Sequence, residues 1–178
     1  MQHGKVALAM VVVTVALASA LAWGAPASAS GTVYSFRLVQ PNTALATVFD
    51  EHHHPGDWIR VTGSGTFDPA ANRVQAEGSF THYNADGSVH LRGTWVATGI
   101  TSFTAYQGPK PGQLGGVLWL TVAHFLQDGT PCDCMGTGGV PMSVTSAAWA
   151  PPGTVTGTTM GPFQQPTGGS VRFSVVDA

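Results

Sequence analysis

The 178-residue chain is poor in charge: 9% of its residues are Asp, Glu, Lys or Arg, and they contain no basic run. That excludes a broad electrostatic grip on nucleic acid or on an anionic membrane. Cysteine is nearly absent too, so Cys132 and Cys134 have only each other to pair with. No long amphipathic helical pattern follows residue 29. The chain contains no G-x-S-x-G elbow, no H-E-x-x-H pair and no phosphate-binding loop. Glutamate is confined to Glu51 and Glu77, and the alternation of its strand places Glu77 outward. A paired-carboxylate hydrolase therefore gains little support.

The one long apolar run lies at the start. Lys5 precedes Val6 to Trp23, and Ala27-Ser28-Ala29 closes the run with small residues. This order predicts a secretory signal peptide over 1–29, cleaved near Ala29. The competing reading is a membrane anchor, because the run is near the lower spanning limit of roughly 17–25 residues. The A-x-A ending and the Pro/Ser/Gly-rich exit favour cleavage, which leaves no membrane span. No twin arginine occurs and no cysteine follows the run, so neither a Tat signal nor a lipoprotein anchor is indicated. Residues 30–178 are expected to form one secreted, extracellular domain, large enough to bury a core.

That domain is rich in turn formers, with 23 glycines and 12 prolines in the whole chain. Tyr34, Phe36 and Leu38 alternate with polar residues. Ile59, Val61 and Phe67 share a face in the next run, and Val74, Ala76, Gly78 and Phe80 share one over 73–83. Val89, Leu91, Gly93, Trp95 and Ala97 repeat the pattern over 88–98. Asp68-Pro69-Ala70-Ala71 and Asn84-Ala85-Asp86-Gly87 have hairpin-turn chemistry, so the three segments form an antiparallel meander. A turn is expected at Pro41-Asn42, a separate strand over 99–106, and a strand covered on both faces over 117–126 with Trp119 in the core. About eight strands predict an all-β domain: a single antiparallel β-barrel, or alternatively a β-sandwich. Inward Gly63, Gly65, Gly78 and Gly93 favour the barrel, because strand glycines mark bends or close approach of a bulky neighbour.

The segment Gly63-Ser64-Gly65-Thr66-Phe67-Asp68-Pro69, with Glu77-Gly78-Ser79-Phe80-Thr81-His82 and Gly93-Thr94-Trp95, resembles exported bacterial all-β proteins of unassigned function. Its G-x-G-x-F strand is also similar to the small barrels of the dirigent and allene oxide cyclase type. The resemblance implies a barrel and transfers no catalytic residue, because the shared motifs are turns and inward glycines.

Four groups of residues are candidates for chemistry. Cys132-Asp133-Cys134 in an exported protein is expected to be oxidised as a local structural disulfide; a thiolate metal site and a redox-active or intermolecular pairing are the alternatives. His52, His53 and His54, flanked by Asp50, Glu51 and Asp57, are read either as a solvated polar loop or as copper or zinc ligands. His82 and His124 fall on apolar faces, as core imidazoles or as catalytic groups, with Tyr83 beside His82. Among the aromatics, Trp95 and Trp119 are expected in the core, whereas Trp58 shares its face with Arg60 and Thr62. The leading expectation is a non-enzymatic binding module for a small apolar or glycan ligand, with Trp58, Tyr83 and His82 at the ligand. No cofactor is called for by that reading. The alternatives are an extracellular copper or zinc protein and a small barrel enzyme of isomerase or cyclase type.

Overall fold

The computed structural model describes residues 31–136 and 139–176; the signal-peptide expectation falls on residues outside these. Eight strands make up the fold. They are β1 (Tyr34–Leu45), β2 (Trp58–Asp68), β3 (Arg73–Tyr83), β4 (Val89–Gln107), β5 (Leu114–Leu126), β6 (Val140–Ser146), β7 (Gly157–Met160) and β8 (Gln165–Val175). They form one antiparallel sheet in the order β7-β6-β5-β4-β3-β2-β1-β8, which curls until β7 meets β8. The sheet is a nearly closed barrel, not a sandwich.

The meander forms as its alternation predicts. β2 and β3 pair without interruption from Trp58↔Tyr83 to Asp68↔Arg73. Ala76, Phe80 and His82 point inward and Glu77 outward. The interior is filled by side chains. Trp95, Phe36, Phe67, Phe80, Ile59 and Leu118 are among the largest that are fully buried. Trp95 lies over two of the inward glycines, Gly63 and Gly78, and donates from its indole Nε1 to the carbonyl of Thr62 at 3.0 Å. A Cβ on Gly78 would meet that carbonyl oxygen, and would lie 2.6 Å from Trp95 Nε1. Gly63 and Gly78 thus make room for the largest core side chain, while Gly65 and Gly93 admit Ala76 and Phe80.

Three expectations are corrected. Pro41-Asn42 is no turn: both residues belong to β1, where the pairing with β2 shifts between Arg37 and Asn42 and absorbs the irregularity as a bulge. The strand expected over 99–106 continues β4, whose alternation is hidden by shifts at Ala97/Gly99 and Ile100/Ser102. β5 is covered on one face only. Leu118, Leu120, Val122 and His124 are buried, while Trp119, opposite Ser102 and Ser143, is 38% exposed.

The strand directions divide the loops between two ends. Residues 46–57, 84–88, 127–136 and 161–164 emerge at the end where β2 and β4 begin. His52, His53, His54, His82, His90 and His124, every histidine among the described residues, lie at or near this end. So do Asp50, Glu51, Asp57, Asp86, Asp128 and Asp133. The opposite end is closed by aromatic packing of Tyr34, Phe67, Phe103 and Phe173.

Candidate functional site at the histidine end

Two aspartates shape the histidine loop. Asp50 Oδ1 accepts the backbone N–H groups of His52 (2.8 Å) and His53 (2.9 Å), and also contacts His53 Nδ1 at 2.9 Å. These bonds hold the Asp50 carboxyl below its ordinary range, with the His52 N–H the largest cause. They also turn the His53 ring inward. It stacks on His82 with centroids 5.3 Å apart and meets the edge of Phe163 at 5.4 Å. His53 is 2% exposed. The expectation of a wholly solvated loop is therefore corrected: His52 and His54 face water, and His53 is part of the barrel's end cap.

Asp57 is the second organiser. It is buried, and its carboxylate accepts the N–H groups of His54 (2.8 Å) and Ala85 (3.1 Å). His82 Nε2 lies 3.4 Å from Oδ2 of the same carboxylate, so the tautomer protonated at Nε2 donates to it. Burial pushes the Asp57 carboxyl up, but these donors outweigh it and its pKa lies below the usual value. His82 goes the other way for an imidazole: burial, then the nearby His90, lower it to about 4 against the pull of Asp57. Asp57→Ala is expected to destabilise the domain by about 3 kcal/mol, because it strips donors in two loops and a buried imidazole of their common acceptor. Urea unfolding at pH 7 measures it.

Nδ1 of His53, when it donates to Asp50, leaves Nε2 as a lone pair. That atom is buried and has no hydrogen-bond partner. His53 lines a cleft of about 410 Å³ between the histidine loop and the loop of the two cysteines. Val48, Met135, Pro141 and Pro162 give it apolar walls, and Asp50, His52 and Asp133 give it polar groups. A larger groove, about 670 Å³, lies at the opposite end. It contains no histidine or cysteine, and its Asp68 and Arg73 pair with each other at 3.5 Å.

The other candidate residues are dispersed. Tyr83 and Trp58 stack on the outer face, with centroids 3.9 Å apart, on the opposite side of β3 from His82. They are therefore not brought to the same surface as His82. His124 is buried against Phe80, with ring centroids 5.2 Å apart; burial lowers it to about 4, and its Nε2 has no partner. It lines a different cleft, shared with Cys132. The set His82, His124 and Tyr83 does not converge. Nor do the three consecutive histidines: among the described residues no group of three or more His, Cys, Asp or Glu side chains is arranged to hold a metal ion. Cys132 and Cys134 are joined as a disulfide.

Asp50 and Asp57 flank the histidines in the sequence, but their role as acceptors that shape the loop emerges only in the fold. Their signal is spacing: Asp50 stands three residues before His53, and Asp57 three after His54, the reach of side-chain-to-backbone turns. Comparisons with protein-family models, with curated proteins and with solved structures return no match for this chain.

Proposed function

We propose that the protein is a non-enzymatic binding module that takes a small, partly apolar, hydroxyl-bearing ligand of carbohydrate type at its histidine end. The observation that carries this reading is the buried, unpartnered Nε2 of His53 in a residue that lines the cleft. The filled interior argues for a ligand at the mouth instead of within the barrel. Apolar walls suit the C–H face of a sugar, and imidazole and carboxylate acceptors suit its hydroxyl edge. Export, expected from residues 1–29, fits such a role.

A second reading, a copper or zinc protein, draws on the gathering of imidazoles and carboxylates at one end of the barrel. Calorimetry with a panel of mono- and oligosaccharides, and in parallel with Cu(II) and Zn(II), separates the two. The expected result is saturable sugar binding, weakened at least tenfold by His53→Phe, which keeps a flat ring against His82. No sugar binding, or equal binding by the variant, overturns the proposal. Stoichiometric retention of one metal ion with no sugar binding establishes the second reading.

A further inference from the structure

The Cys132–Cys134 disulfide closes a loop of only three residues beside the cleft, which Cys134 lines. A cross-link stabilises a fold mainly by restricting the unfolded chain, and the restriction grows with the length of the loop. Three residues give about half the effect expected for fifteen. The loop is already held without the bond. Cys132 N–H donates to the His124 carbonyl at 2.9 Å, Gly136 N–H to the Asp133 carbonyl at 3.0 Å, and the Met135 side chain is buried. A disulfide with so little folding energy behind it is readily reduced. Both cysteines are half-buried, so the sulfurs are not sealed in the core.

The two sulfurs are not equivalent. Cys134 lines the ligand cleft. Cys132 Sγ accepts the backbone N–H of Cys134 at 3.3 Å, and Cys132 lines the second cleft together with His124. A donor on Cys132 stabilises negative charge there and makes it the better leaving group. We infer that Cys132–Cys134 is a thiol–disulfide exchange site in which an incoming thiolate attacks Cys134. The new S–S bond joins the incoming sulfur to Cys134 Sγ. The Cys132–Cys134 bond breaks, and its electron pair leaves on Cys132 as a thiolate, which takes a proton from water. A second substrate thiolate then attacks the mixed disulfide and releases Cys134. The substrate dithiol, or pair of thiols, is oxidised by two electrons, and the protein ends as the dithiol. A small-molecule disulfide of the glutathione class restores it by the reverse exchange.

The activity is independent of the sugar-binding proposal and is tested without any ligand. The full chain in oxidised form is equilibrated with reduced glutathione, quenched by alkylation and weighed intact, with fragmentation to place the adduct. Millimolar glutathione is expected to reduce the native protein, with the mixed disulfide trapped on Cys134. The oxidised protein is expected to speed oxidation of a dithiol peptide at least tenfold over the Cys132→Ser/Cys134→Ser variant. That variant is expected to keep its cooperative thermal transition within a few degrees of the parent. A disulfide that resists glutathione until the protein is unfolded overturns the inference. So does an adduct on Cys132, or a double-serine variant that does not fold.

Discussion

Gly78→Ala is expected to destabilise the barrel by about 3–5 kcal/mol, a large part of the roughly 5–15 kcal/mol that holds a typical domain folded. The new methyl has nowhere to go. It would run into the Thr62 carbonyl oxygen and come within 2.6 Å of Trp95 Nε1. Thr62 and its neighbours cannot retreat, because β2 and β3 are in unbroken register across this point. Overpacking of a filled core costs about 1–3 kcal/mol. Pushing the indole away from Thr62 leaves a buried N–H without an acceptor, for about another 1–3 kcal/mol. Urea unfolding gives the number, and a change under 1 kcal/mol would show that Trp95 is not what these glycines accommodate. Gly87→Ala is the control. Nothing lies near its Cβ, but its φ of +83° makes an alanine there cost about 1 kcal/mol.

The second large effect is acid lability. His82 and His124 each sit at about 4 in the folded protein, well below a free imidazole, chiefly because burial disfavours the charged ring. The unfolded chain takes up these two protons near pH 6.5, and the folded one resists until about pH 4. Stability from this source is therefore complete above pH 6.5 and is lost as the pH falls toward 4. Each histidine contributes on the order of 3 kcal/mol. Asp57 adds to the loss at lower pH, since its carboxylate is held below its ordinary value. Unfolding free energies measured from pH 8 to 4 are expected to be flat at the top and to fall steeply below 6.5. His124→Leu is expected to halve the slope, and to raise stability at pH 7 by removing a buried nitrogen that has no partner. An unfolding free energy that stays constant down to pH 4.5 would sink the assignment.

The meander is legible in the sequence because Val74, Ala76, Gly78, Phe80 and His82 keep strict alternation with polar neighbours, and because β3 pairs with β2 in unbroken register and shifts against β4 only at its last residues, His82 and Tyr83. His82 was placed inward for the same reason. Where a strand changes register, periodicity loses its phase. β1 does so around Asn42 and β4 around Ala97 to Ser102, so the pattern alone breaks each of them too early. Trp119 reads as core because its face of the strand, with Val117, Ala123 and Phe125, is apolar, whereas the pleat of β5 turns that face outward and sets Trp119 between Ser102 and Ser143. His53 was hidden for a different reason. Nothing local distinguishes it from His52 and His54; its burial depends on His82 and Phe163, which arrive from distant parts of the chain.

The first and last strands run side by side, with Tyr34 directly opposite Val175. Chain entry and exit thus share the rim farthest from the imidazoles. A tag, tether or fusion partner joined directly before Val33 or after Val176 would hold the barrel by its base and present the 410 Å³ cleft outward. Surface immobilisation through a linker joined at either of these two points should therefore leave that cleft as open as it is in free solution.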